Sequence, residues 1–169
     1  GTGSNARFSL PAGLAADGAG NLYVADSGNS AIRKVVLSTQ VVTTLAGSLG
    51  MGGSADGTGP VARFAAPRAV VFDGTANLYV ADTSNHSIRK VVAATGAVTT
   101  LAGALGTSGN SDGAGTAARF QFPYGITTDL AGNLYVTDTS NHTLRKVAVS
   151  SGAVSTLSGS PGLSGSSDG

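Results

Sequence analysis

The 169-residue sequence has no cysteine, no tryptophan and no glutamate. Without cysteine there is no disulfide, no thiolate metal site and no cysteine nucleophile. Without glutamate every acid is an aspartate, and only 11% of residues are charged. Helices draw on Glu, Lys, Ala and Leu, so this composition argues against a helical fold. With 10 basic and 9 acidic residues the net charge is +1, which is neither a strongly basic nor a strongly acidic surface. No apolar run approaches the roughly 18–20 residues of a membrane span. The chain opens Gly-Thr-Gly with neither Met, a basic n-region nor an apolar h-region, as an excised piece or an engineered chain would. With two histidines, the stock of catalytic side chains is small. What is plentiful is glycine, 26 residues, with many Ser and Thr and 41% hydrophobic residues. That mixture suits short strands joined by tight turns. It also suits a secreted or surface-exposed part of a larger bacterial protein.

One period organises the chain. Asn-Leu-Tyr-Val starts at Asn21, Asn77 and Asn133, and Arg-Lys-Val at Arg33, Arg89 and Arg145. Ala-Arg-Phe starts at Ala6, Ala62 and Ala118, and [Ser/Asn]-x-Asp-Gly places Asp56, Asp112 and Asp168. Every marker recurs at the same interval, that from Asn21 to Asn77, without insertion or deletion. The expected organisation is one domain, 1–169, of three units: 1–56, 57–112 and 113–168. Units two and three agree at about half of their positions, pointing to recent duplication or to design.

Each unit offers four strands. The first follows a proline (13–17, 69–73, 125–129) and is apolar on both sides, as a strand buried on both faces would be. Asp-Gly-Ala-Gly-Asn and its counterparts make the next turn. Leu22-Tyr23-Val24-Ala25 is the second strand. Ile32-Arg33-Lys34-Val35 is the third, and its charge predicts less burial. The turn after it carries Gly96 and Gly152, with Gln40 at the matching place. Val42-Thr43-Thr44-Leu45-Ala46 alternates as a half-exposed outer strand. A long loop, 47–66, leads to the next unit, and its Phe (Phe8, Phe64, Phe120) is expected to plug between units. Four antiparallel strands graded from an apolar to a polar edge, and repeated, predict the blades of an all-β propeller. A parallel solenoid fits worse, and isolated sheets would leave apolar faces bare.

The unit resembles the NHL repeat. The naming triplet matches at Asn85-His86-Ser87 and Asn141-His142-Thr143, with Leu replaced. The surrounding pattern is stronger: Pro-x-Gly, Gly-Asn-Leu-Tyr-Val-[Ala/Thr]-Asp, Asn-His-x-[Ile/Leu]-Arg-Lys-Val and Val-[Thr/Ser]-Thr-Leu. The resemblance covers all 169 residues. It departs from the pattern at Asn29-Ser30 and at Pro67-Arg68-Ala69. It implies a six-bladed ring, of which this chain has three blades. Bare apolar faces at both ends mark association sites. Blades of about 60° each make a half circle of three, so two arcs on a twofold axis would close the ring. The expectation is therefore a homodimer joined head to tail, with a nine-bladed trimer as runner-up and a fragment completed by its own parent chain as a third case.

The candidate residues are weighed against periodicity. Asp26, Asp82 and Asp138 end the second strand in every unit and are expected to be structural, bonding the next turn's backbone N–H groups. Arg33, Arg89 and Arg145 are equally periodic and are expected to pair with an Asp or to pack their stems on a neighbour. Asp17, Asp73 and Asp129 are read the same way. His86 and His142 face Ser30 at the matching position and lack zinc-site spacing. Residues that break the repeat near the channel mouth are the ligand-facing candidates: Arg68 and Tyr124, where the first unit has Ala12. The glycine-rich loops lack the Lys-Ser/Thr of a phosphate cradle. No catalytic residue, metal site or cofactor is assigned.

The favoured function is a non-catalytic scaffold or interaction module that self-assembles, with a protein or small ligand on one face and no membrane partner. One alternative is a ligand- or metal-binding propeller akin to lyases and lactonases. The inner strands, however, offer no carboxylate before their terminal Asp. The other is RNA binding through Arg7, Arg63, Arg68 and Arg119, which the near-zero net charge disfavours.

Overall fold

A computed structural model describes residues 1–168. Each unit folds as one antiparallel sheet whose four main strands lie side by side in chain order. The first is β1 (Pro11–Ala16), β2 (Asn21–Asp26), β3 (Ala31–Val36) and β4 (Val41–Gly47). The second opens with a short strand, β5 (Gly57–Thr58). It continues with β6 (Pro67–Phe72), β7 (Asn77–Asp82), β8 (Ser87–Val92) and β9 (Ala97–Ala102). The third repeats that plan as β10 (Gly113–Ala114), β11 (Pro123–Thr128), β12 (Asn133–Asp138), β13 (Thr143–Ala148) and β14 (Ala153–Ser158).

The long loop therefore holds a fifth strand, too short to announce itself in the sequence. β5 pairs on the outer edge of β9, and β10 on that of β14. In the first sheet a single bridge, Thr2 to Val41, takes the same place.

The turns follow from their residues. Asp17 Oδ1 accepts the N–H groups of Ala19 and Asn21 at 2.8 and 3.0 Å, closing the β1–β2 turn. Asp73 and Asp129 do the same for their own sheets. Asn21 and its neighbours hold the Asp17 carboxyl below its usual range. The Asn133 amide and backbone hold Asp129 down to about 2. At Asp73 partial burial pushes upward, but the N–H groups of Asn77, Thr75 and Ala76 win and the pKa falls. Between β3 and β4 the chain turns through a left-handed residue: Gly96 at φ 70° and Gly152 at φ 67° in the later sheets, but Gln40 at φ 56° in the first. A side chain there costs roughly 1–2 kcal/mol that glycine avoids.

The sheets stack face to face, with an apolar layer in each seam. Tyr23, Ala25, Ile32 and Ala46 of the first sheet meet Phe64, Leu78, Val80 and Val91 of the second. Tyr79, Ala81, Ile88 and Ala102 meet Phe120, Leu134, Val136 and Val147 in the next seam. Phe64 and Phe120 are fully buried in these layers. At the inner edge β1 runs so close to β6 that a Cβ on Gly13 would lie 2.6 Å from Ala69 Cα, so this position needs glycine.

Polarity misleads at two places. The first strand of each sheet, apolar on both sides, is not the most buried; β1 is largely exposed and β11 is mostly half-buried. These strands line the inner edge of the arc, where no layer covers them. The third strand is not less buried for carrying charge, since Arg89 and Arg145 are inaccessible to solvent. Their charges are met inside the protein rather than by water.

Candidate functional site

Asp82 closes β7 and is fully buried. Its Oδ1 accepts the Ala65 N–H at 2.8 Å. Its Oδ2 accepts Asn85 Nδ2 and Arg89 Nη1, each at 2.8 Å. Asp26 and Asp138 take equivalent partners: the N–H of Ser9 or Gln121, the amide of Asn29 or Asn141, and Nη1 of Arg33 or Arg145. The expectation that these carboxylates bond the next turn's backbone is corrected here. The N–H they accept comes from the loop ahead of the sheet, and only the Asn side chain comes from the following turn. One carboxylate thus ties three segments together. Burial pushes Asp82 up to about 6, against the pull of these donors.

The arginine completes the node. Arg89 Nη1 also donates to Arg63 O at 3.0 Å. Its Nη2 donates to Ala55 O at 3.1 Å and to Asp56 Oδ1 at 2.5 Å. Its guanidinium lies 5.4 Å from the centre of the Phe64 ring. Arg145 repeats all of this with Arg119 O, Ser111 O, Asp112 Oδ1 and Phe120. Asp56 and Asp112 arrive from the loop ahead of the sheet. Asp56 precedes Arg89 by the same interval as Asp112 precedes Arg145, and that constancy is the signal by which sequence reading could have paired them. Arg33 makes the first half of the node only: Asp26 at 2.8 Å, Arg7 O at 3.2 Å and Phe8 at 5.3 Å. Its Nη2 has no partner among the described residues.

The seam between the second and third sheets carries a second set of contacts. Thr83 Oγ1 donates to Pro123 O at 2.6 Å. The Phe122 N–H donates to His86 Nδ1 at 3.2 Å, and the two rings meet edge to face at 4.6 Å. The acceptor role requires a neutral imidazole with its proton on Nε2. Burial lowers the pKa of His86 in the same sense, with Asp138 opposing. His86 therefore belongs to a seam, whereas His142, its counterpart, stands exposed on the outer face of the third sheet.

Arg68 and Tyr124 are brought together. They open the adjacent inner strands β6 and β11, and the Arg68 guanidinium lies 5.5 Å from the centre of the exposed Tyr124 ring. Arg7, Arg63 and Arg119 instead turn their guanidinium groups onto carbonyls of their own loops, Ser4 O, Pro60 O and Thr116 O. Among the described residues no three His, Cys, Asp or Glu side chains converge as metal ligands. No helix there is long and apolar enough to cross a membrane.

Successive antiparallel sheets packed face to face around an inner edge, each pinned by one Asp–Arg node, define a propeller-type repeat protein. The NHL repeat family matches residues 8–35, which run from Phe8 through Asp26 to Arg33 and so span the first node. Human NHL repeat-containing protein 2 is 36% identical over 163 residues, covering 90% of this chain and 22% of that protein. The chain is an NHL-repeat domain. It spans about a fifth of the length of that relative. A structural-genomics protein of unknown function from Bacteroides thetaiotaomicron superposes with a TM-score of 0.71 at 28% identity, over 92% of this chain and 37% of the other. An auxiliary nutrient binding protein from the same organism gives 0.65 at 26% identity, over 82% and 35%.

Proposed function

We propose that the chain is a non-catalytic NHL-type interaction module that closes with a second copy, head to tail, into a six-bladed ring. The observation that carries this reading is a comparison of equivalent residues inside the molecule. Leu144 on β13 is 46% exposed, while Ile32 and Ile88, its counterparts, are fully buried against a following sheet. Phe8 is 37% exposed, while Phe64 and Phe120 are at zero. The two terminal sheets thus display the surfaces that the inner seams consume.

Sedimentation equilibrium across a wide concentration range tests it. The expected species is twice 16.4 kDa. A three-chain species would make the ring nine-bladed, and a monomer at every concentration would sink the proposal.

The face of the ring that bears Arg68 and Tyr124 is the proposed ligand side. The aromatic–cation pair at the inner edge favours a small or peptide ligand there. One solved neighbour is described as an auxiliary nutrient binding protein, a description that fits such a face. Ligand binding that survives Arg68→Ala with Tyr124→Ala would move the site elsewhere.

A further inference from the structure

The two open ends carry chemistry that specifies how they join. We infer that Asp168 of one copy completes the Arg33 node of a second copy, while His142 and Thr139 clasp the second copy's Leu10–Pro11 segment. This rests on the ring reading above and gives it a defined register.

The pairing follows from the period of the chain. Asp56 reaches forward to Arg89, and Asp112 to Arg145, at 2.5 and 2.8 Å. The next member of the first series is Asp168. The arginine that precedes the second series is Arg33, whose Nη2 has no partner among the described residues. Three equal units laid end to end place Arg33 of a second copy where the next arginine of the series would fall. Asp168 is exposed, while Arg33 is fixed by Asp26 through Nη1, which leaves Nη2 without a partner among the described residues. An unpaired acid at one end and an incompletely paired base at the other are complementary charges in one register.

The flanking residues agree in size. At the seam of sheets two and three, His86 meets Phe122 and Thr83 bonds Pro123 O. In the seam of sheets one and two the same register sets Ser30 opposite Ala66, small with small. At the open ends it sets His142 opposite Leu10, large with large, and Thr139 opposite Pro11. Leu10 is among the most exposed apolar residues of the chain. Thr139 and His142 line a concavity with Leu144 and Gly159 that no described residue fills. On the opposite end Phe8, Pro11, Leu14 and Val24 line an apolar hollow.

The test is sedimentation equilibrium on the 169-residue chain and three variants. Asp168→Asn removes one charge-assisted bond per junction. It should weaken association about tenfold per junction, and so about a hundredfold for a ring with two. His142→Ala should weaken it in the same direction. Both residues are exposed in the single chain, so neither variant should lower its thermal midpoint. Asp112→Asn breaks the same chemistry within one chain; it should lower the thermal midpoint and leave association within about threefold, since no contact between copies is lost. A parent chain that stays monomeric overturns the ring reading and this pairing together. A parent chain that assembles, with Asp168→Asn and His142→Ala unchanged, keeps assembly and overturns this pairing alone.

Discussion

Replacing Arg89 by Met removes the guanidinium and keeps the stem. It leaves the Asp82 carboxylate fully buried with two neutral donors, the Ala65 N–H and the Asn85 amide. Breaking a buried ion pair from one side costs about 3–5 kcal/mol. Arg63 O and Ala55 O also lose a donor, and Asp56 loses its ion pair while keeping its bonds from Thr100. A total of about 4–5 kcal/mol is a large part of the roughly 5–15 kcal/mol that holds a domain together. With a urea slope of about 2 kcal/mol/M, the midpoint should fall by about 2 M. The loss should depend on pH. Asp82 already titrates high because it is buried, at about 6, and without Arg89 it should titrate higher still. Protonation then relieves the unpaired charge, so Arg89→Met should be penalised less at pH 5 than at pH 8. Adding Asp82→Leu should restore part of the loss, because an apolar pair no longer holds an orphan charge. The same change at Arg33 should cost less in the single chain, since that arginine has fewer partners to lose. Urea unfolding of the parent chain and these three variants at both pH values decides it. A midpoint shift below about 0.5 M for Arg89→Met, or one independent of pH, would show that the node is not the clamp described here.

Gln40→Gly should raise stability by up to about 1 kcal/mol, or a few degrees in thermal midpoint, because relief of the left-handed strain exceeds the extra freedom of the unfolded chain. The check is a thermal melt, in which a lower midpoint would contradict the strain argument at φ 56°. Stability should also pass through a shallow maximum below neutrality. His86 has a lowered pKa in the folded state, so its contribution is present above 6.5 and is lost as pH falls through that value toward the folded pKa. Asp82 is raised, so its penalty applies above about 6 and is relieved as pH falls from there toward 3.8. Asp17, Asp73, Asp112 and Asp129 are lowered, so their stabilisation is present above 3.8 and is lost below it. Urea midpoints at half-unit steps from pH 8 down to pH 3 should rise slightly, then fall steeply below about 4. A monotonic fall from pH 8 would refute the raised Asp82.

Much of this protein is written locally. The constant period, the Asp-Gly turns and the alternation of short apolar runs with Asn-His and Gly turns define the sheets in chain order, because each depends on neighbours close in sequence. The recurrence of Asp26, Asp82 and Asp138, and of the three arginines, marks them as parts of every unit. Their geometry could not be read that way. The Asp82 carboxylate takes an N–H from Ala65, and Arg89 takes its second acid from Asp56. Both partners come from the preceding loop and meet the node only once the chain has doubled back. For the same reason, charge in the third strand was misleading: polarity in sequence signals exposure only when no counter-charge arrives from elsewhere. Strand β5 is too short to have a pattern of its own and exists because β9 offers an open edge. Local sequence thus determined the unit and its repetition. Only the stacking of sheets decided that His86 belongs to a seam and His142 to an open face, since the two share one sequence pattern and differ in whether another sheet follows.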